Sequence, residues 1–455
     1  MENALPLKQK PFRLAKIVMP ILVTQVALYL ITFFDILMTG RYDTYHLAGV
    51  TIGSSFWVPV YTGLAGILMG LTPIIAQLVG ARKKDAVRPS VQQGIYVSIV
   101  LSIIVYLIIK FGVSSILTSM PLEEEVRVVA AKYLEAMSLG LLPLFAYTVL
   151  RSFFDALGAT RVSMTIILLS APLTIFLNYL LIYGNFGFPE LGGVGAGYAA
   201  ALTYWLVFLI ACGVAWKHKS FSDYRLFANW GKISFVRWKE ILLIGVPIGI
   251  SIFVETSIFS VVTLLMSKYS TIVISAHQIA LNFTSLLYMI PLSISMGATI
   301  LVGQEIGANR MKDAKHYGFL GVAIAIAFSF ISIAVLLLFR NEIASLYTTD
   351  GKIIALATQF FIYAALFQLS DAVMAPVQGA LRGYKDVNMT FIMAIVSFWV
   401  IGLPVGYSMA TFTDLGPYGY WIGLIAGLTI GAITLTIRLL HIQKTKFHEG
   451  KTREA

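Results

Sequence analysis

Twelve apolar runs of 18 or more residues, separated by short clusters of charged and turn-forming residues, set the pattern of the chain. Each is long enough to cross a hydrocarbon layer about 30 Å thick as a helix. They predict helices over 14–39, 50–79, 92–116, 127–151, 161–183 and 193–216, then over 240–267, 273–304, 316–339, 353–381, 386–411 and 418–440. A polar stretch, 217–239, separates the sixth run from the seventh. The first run follows Lys8, Lys10, Arg13 and Lys16, spans about two dozen residues and has no small-residue cleavage site before it ends. It is expected to stay attached as a span.

Composition agrees with that pattern. Of 455 residues, 58% are hydrophobic and only 12% charged, with a mean hydropathy of +0.83. A soluble domain carries about 25% charged residues, so a cytosolic globular enzyme is excluded and no sizeable soluble domain fits between the spans. The lone cysteine, Cys212, rules out a disulfide framework or a Cys-rich metal site. The net charge of +11 invites a nucleic-acid reading until the basic residues are placed. The N-terminus, the loops after even-numbered spans and the C-terminus hold 26 of the 33 lysines and arginines. By the positive-inside rule both termini are expected on the cytoplasmic face of the cell's inner membrane. The basic charge then reports orientation and anionic headgroups, not nucleic acid.

The chain repeats. Met69-Gly70-Leu71-Thr72-Pro73 through Gln77 and Gly80-Ala81 aligns with Met296-Gly297-Ala298-Thr299-Ile300 through Gln304 and Gly307-Ala308 at an offset near 227. Gly158 through Thr165 aligns with Gly383 through Thr390 at an offset of 225. Because six is even, both halves enter the membrane from the same side, as parallel repeats about an axis along the membrane normal. The expected organisation is a cytoplasmic segment 1–13, a six-helix lobe 14–216, a cytoplasmic connector 217–239, a second six-helix lobe 240–440 and a basic tail 441–455. This is an all-α integral membrane protein of twelve transmembrane helices in two six-helix bundles. Two bundles rocking about a shared cavity make a transporter. Glycine pairs such as Gly245/Gly249 and Gly423/Gly427 suit close helix packing. Pro20, Pro59, Pro73, Pro172, Pro247, Pro291, Pro376 and Pro404 should bend or loosen their helices.

Charges inside the spans are few. Asp35, Glu255 and Asp371 stand out: Glu255 and Asp371 near mid-membrane, Asp35 closer to the outer face. A carboxylate at the bilayer centre costs about 2.5–3.5 kcal/mol, and no Lys or Arg lies deep enough in a span to neutralise these three. They must hold a proton, bind a cation or switch between the two, as an ion-coupled transporter requires. Gln278, Asn282 and Tyr288 in the eighth span, and Asn178 in the fifth, offer further oxygens or a ring face. Phe33, Phe34, Phe56, Trp57, Phe176, Phe253, Phe259, Phe283, Phe361 and Phe367 are candidate walls for aromatic cations. Glu305, near Gly307 and Arg310, is expected to be solvated or to cap a helix, Glu135 to pair with Lys132, and His277 to be a satisfied interfacial histidine.

At these residues the chain resembles the multidrug and toxic compound extrusion (MATE) family, and within it the bacterial NorM-like branch. The resemblance is carried by Pro20 with Asp35, Met69-Gly70 with Gln77 and Gly80, and Gly245-Val246-Pro247 followed by Glu255. It continues through Ala276-His277-Gln278-Ile279-Ala280-Leu281-Asn282, Tyr288 with Pro291, and Asp371 followed by Gln378 through Asp386. It implies export of small organic cationic drugs in exchange for sodium or protons. It also implies a cation site in the C-terminal lobe at Glu255, Gln278, Tyr288 and Asp371, with sodium at Glu255 and Asp371, and a cation, proton or substrate site in the N-terminal lobe at Asp35 with Asn178. Relatives of the DinF-like and archaeal branch carry an aspartate about one turn after Asn178, where this chain has Ile182 and then Gly184. Sodium coupling through Glu255 and Asp371 is therefore favoured. No cofactor beyond the coupling ion and no obligate protein partner is expected.

Two other functional classes fit the chain less well. A lipid-linked oligosaccharide flippase of the same architecture should need Arg or Lys inside its cavity to hold a pyrophosphate, and none is seen deep in the spans. An intramembrane enzyme would need a nucleophile with its base, or a set of metal ligands, and neither HExxH nor GxSxG occurs.

Overall fold

The computed structural model describes residues 6–454 apart from Pro121 and Ser267, with side chains through residue 445. These residues form helices and no strand. The long helices are α1 (Lys10–Tyr42), α2 (Thr44–Gly80), α3 (Lys84–Thr118), α4 (Glu124–Ser138), α5 (Leu141–Ala156), α6 (Thr160–Tyr183) and α7 (Gly193–Lys217). The second half adds α8 (Phe235–Met266), α9 (Thr271–Gly307), α10 (Met311–Leu338), α11 (Gly351–Gly383), α12 (Asn388–Phe412) and α13 (Tyr418–Glu454). Eleven of them qualify individually as membrane spans, and α4 with α5, bent by 49°, forms the twelfth.

That bend corrects the expectation of one continuous helix over 127–151, and its cause is local. Pro143 has no N–H to give the carbonyl of Leu139, four residues earlier. The orphaned carbonyl accepts instead from the Trp205 indole N–H, at 3.1 Å. Gly140 sits at the corner because a Cβ there would lie 2.7 Å from the Tyr204 ring and 2.9 Å from the Ala201 backbone. The break thus brings α7 against the corner.

The chain groups into two compact units, one running from Val23 to Gly249 and the other combining residues through Leu22 with those from Ile250 onward. The connector 217–239 was the expected divide; these units part inside α1 and α8. Pro20 and Pro247 each stand two residues before the last residue of the segment that changes unit, where a missing N–H loosens the helix. In the first unit, Gly245 and Gly249 of α8 lie against the backbone of α2. A Cβ at Gly245 would come within 2.1 Å of the Ile67 carbonyl oxygen, and one at Gly249 within 2.4 Å of that of Gly63. In the second unit, Gly297 of α9 takes Val18 of α1 in the equivalent way, with 2.6 Å between a built Cβ and the valine methyl.

The connector is also fastened in the first unit. Gln92 donates to the carbonyls of Leu226 at 2.8 Å and Ala228 at 3.1 Å, Gln93 to that of Lys232 at 2.9 Å, and Tyr96 to that of Gly231 at 3.0 Å. Trp238 Nε1 donates back to Gln93 Oε1 at 2.8 Å.

Two expected surface roles are corrected. Glu305 is 2% exposed rather than solvated: Arg13 Nη1 reaches its Oε1 at 2.9 Å and Arg310 Nε its Oε2 at 2.5 Å. Beside it, Lys10 pairs with Asp313, and both Lys10 and Arg13 lie over the Tyr317 ring. Glu135 and Lys132 are both exposed and form no ion pair among the described residues, since each side chain reaches solvent more cheaply than it reaches the other.

Candidate functional site

Each unit sets a carboxylate well inside its long helices: Asp371 is buried, while Glu255 and Asp35 are half-buried. In the second unit, Glu255 sits on α8, eight residues beyond Pro247, while α11 carries Asp371, Gln378 two turns on and Arg382 one turn further. Spacings of seven and four residues put those three side chains along one side of α11. Gln378 Nε2 donates to Glu255 Oε1 at 2.6 Å. Asp371 is 6% exposed, and its carboxylate accepts no hydrogen bond among the described residues. Glu255 and Asp371 stand within electrostatic reach of one another, and the Tyr288 hydroxyl of α9 lies within reach of both. Gln368, one turn before Asp371, has a buried Nε2 with no partner among the described residues. Trp399, on a π-helical stretch of α12 (Ile395–Gly402), donates to the Val254 carbonyl at 3.3 Å. This fastens the backbone next to Glu255.

Arg382 changes the electrostatic account. Counted by sequence among cytoplasmic loop residues, it lies in the last turn of α11, only 8% exposed, and its charge acts on Glu255 and Tyr288. The acids inside the spans are therefore not all without a basic neighbour. The Arg382 guanidinium makes no hydrogen bond or ion pair among the described residues, so its field is felt at Glu255 without neutralising it by contact. Asp371, eleven residues or about three turns before Arg382 on the same helix, lies outside that field and remains the carboxylate that most needs a proton or a cation.

The structure brings Glu255, Asp371 and Tyr288 together and leaves Gln278 apart. Gln278 is exposed and bonds Thr263, two turns beyond Glu255 on α8, at 3.5 Å. Asn282 accepts from the Tyr347 hydroxyl at 2.9 Å. The amide that reaches Glu255 is Gln378, not Gln278. His277 is satisfied but fully buried, not interfacial, accepting from Trp421 Nε1 at 3.1 Å and facing Thr263 at 3.2 Å.

In the first unit Asn178 Nδ2 donates to Asp35 Oδ1 at 2.5 Å. Asn178 is 0% exposed, and its own Oδ1 is a buried acceptor with no partner among the described residues. A carboxylate beside an unfilled amide oxygen is a place for a proton or a small cation. Tyr133 and Tyr204 stand within electrostatic reach of Asp35, and Tyr133 also meets Ser54 at 3.3 Å. Neither tyrosine was singled out from sequence, because a tyrosine in an apolar run reads as packing. Of the aromatic candidates, Trp57, Phe361 and Phe367 are buried, Phe33, Phe176 and Phe253 exposed, and Phe34, Phe56, Phe259 and Phe283 half-buried.

Asp43, His46 and Glu125 also gather near one another. Asp43 caps α2, accepting from the N–H groups of Tyr45 and His46, and His46 Nδ1 accepts from the Gly193 N–H at 2.9 Å. With Nδ1 as acceptor, the neutral ring carries its proton on Nε2 and is a donor there, not a metal ligand.

Comparison with known proteins shows the family and the fold. The MatE family model matches residues 20–180 and again 247–408, two stretches that begin at the 227-residue offset of the internal repeat. The chain is 54% identical over 437 residues to the probable multidrug resistance protein NorM of Bacillus subtilis, covering 96% of this chain and 97% of that one. It is 53% identical over 428 residues to the probable multidrug resistance protein NorM of Halalkalibacterium halodurans, covering 94% and 93%. Its fold is similar to the crystal structure of the eukaryotic MATE transporter AtDTX14, with a TM-score of 0.89 at 21% identity over 98% of this chain and 99% of that one. It is likewise similar to an outward-facing multidrug resistance MATE family transporter of the MOP superfamily, with a TM-score of 0.87 at 19% identity over 96% and 97%. With both halves matched by one family model and relatives more than half identical along nearly the whole chain, this protein belongs to the MATE family of membrane transporters.

Proposed function

We propose that the protein exports organic cationic drugs from the cytoplasm by antiport with sodium, its two lobes alternating access across the cell membrane with both termini cytoplasmic. The pair of half-buried Glu255 and buried Asp371 carries this reading. Two carboxylates that share an interior, one of them without a hydrogen-bond donor, accept a monovalent cation at lower cost than they bear their charges alone. Glu255, Asp371 and the Tyr288 oxygen are the ligands, and Gln378 orients Glu255. Gln278 is left with a supporting role at most through Thr263. Asp35 with Asn178 supplies the second ion-responsive point, for a proton or the drug itself. The relatives named multidrug resistance proteins support the cargo class.

Alternating access follows from competition. Cation occupancy of the pair and a cationic drug are each favoured by the same negative charge, so entry of one releases the other. Purified protein in proteoliposomes, given first a sodium gradient alone and then a proton gradient alone, tests the coupling. Drug movement driven by sodium is expected. Movement driven by protons alone would overturn the sodium assignment while leaving export intact.

A further inference from the structure

A cavity of about 400 Å³ lies at the end of α7, lined by Cys212, Gly213, Trp216 and Phe227. Cys212, Gly213 and Trp216 share one face of the last turns of α7, and Phe227 closes the space from the connector. A Cβ on Gly213 would meet nothing within 4 Å, so the missing side chain is what opens the space. Trp216 is 70% exposed, which leaves the cavity open at the surface of the span. Phe227 is held on both sides, because Gln92 bonds the carbonyls of its neighbours Leu226 and Ala228. The wall is thus preformed, and the volume falls within the range of about 300–1,000 Å³ that ligand pockets occupy.

The lining is a thiol, two rings and bare backbone. It contains none of the carboxylates or amides of the candidate cation sites, so a drug cation would find no countercharge in it. The rim is different. Lys217 follows Trp216, Lys219 lies two residues further on, and Arg225 stands two residues before Phe227, all three exposed. Asp223 is the only acidic residue from Trp216 to Trp230. An apolar slot at a span's end with a basic rim complements one kind of molecule: an apolar chain joined to an anionic head.

We propose that this is a binding site for a single anionic phospholipid. Its acyl chain lies over Gly213 between Trp216 and Phe227, and its phosphate is drawn to Lys217, Lys219 and Arg225. The site then ties the connector to the membrane surface beside α7. Each basic residue near an anionic surface contributes enough to change retention about fivefold.

Native mass spectrometry of the full-length protein, released from detergent micelles carrying equal amounts of dioleoyl phosphatidylglycerol and dioleoyl phosphatidylcholine, tests it. One phosphatidylglycerol is expected to remain bound, at least about tenfold over phosphatidylcholine. Gly213→Leu, which fills the cavity, should lose that adduct. The triple variant Lys217→Gln, Lys219→Gln and Arg225→Gln, which leaves the cavity as it is, should bring the two lipids to equal retention. Equal retention by the unaltered protein, undiminished phosphatidylglycerol on Gly213→Leu, or unchanged selectivity in the charge variant would each overturn the proposal. If Gly213→Leu does not purify as a single species, the charge variant decides.

Discussion

Gln378 on α11 donates a 2.6 Å hydrogen bond to Glu255 on α8, across 123 positions of the chain. This contact joins the carboxylate of one helix to the helix that carries Asp371, and it singles out an amide whose removal should be felt at the ion. A hydrogen bond to a charged group is worth about 1.5–3 kcal/mol. In Gln378→Leu the undersolvated Glu255 should take a proton in place of sodium, raising the sodium concentration needed for half-maximal drug export about 10–100-fold. A sodium titration of drug movement in proteoliposomes checks this, and an unchanged midpoint would remove Gln378 from the site.

Asp371→Asn keeps the shape of the side chain and removes the charge that has no hydrogen-bond donor. The variant, and Glu255→Gln beside it, should insert and purify like the unaltered protein yet lose sodium-driven export altogether. Drug resistance of cells producing either variant at the normal level is the readout. Normal resistance would sink the assignment of this pair to ion coupling.

The Trp205–Leu139 bond stands in for the one Pro143 cannot make. Trp205→Phe leaves a carbonyl orphaned at the corner between α4 and α5 and should cost about 1–3 kcal/mol. Pro143→Ala restores a donor within the helix, so combining the two should recover part of the loss. Melting temperatures of the two single variants and the double variant in detergent give the coupling. Strictly additive effects would show that the indole does not serve that carbonyl.

Glu305 is held between Arg13 and Arg310, and its removal leaves two cations facing each other at the start of α1. Because both arginines are about one-third exposed, the loss is expected at the low end of the range for a broken buried pair, about 2–3 kcal/mol for Glu305→Ala. Thermal unfolding at low and high salt provides the measurement. The variant should be rescued in part by Arg13→Met, which removes one of the two like charges that Glu305 had held apart.

The spans, their number and the family could be read from the chain by itself. Long apolar runs report the solvent each segment meets, and the excess of Lys and Arg on alternate loops reports orientation, both properties written locally along the sequence. Asp35, Glu255 and Asp371 were visible for the same reason, since a charge inside an apolar run stands out without any knowledge of its neighbours. The tertiary structure decided which groups reach them. Gln278 and Gln378 are equally polar and both lie in spans, but the rotation and packing of α8, α9 and α11 turn one toward Thr263 and the other onto Glu255. The same packing buries Arg382 and Glu305, which the sequence places among loop charges, and lets Trp205 complete the corner that Pro143 opens. Hydropathy is a property of one segment, whereas a hydrogen bond between residues more than a hundred positions apart depends on how close two backbones come. At Gly245 and Gly249 that closeness is set by the absence of a side chain.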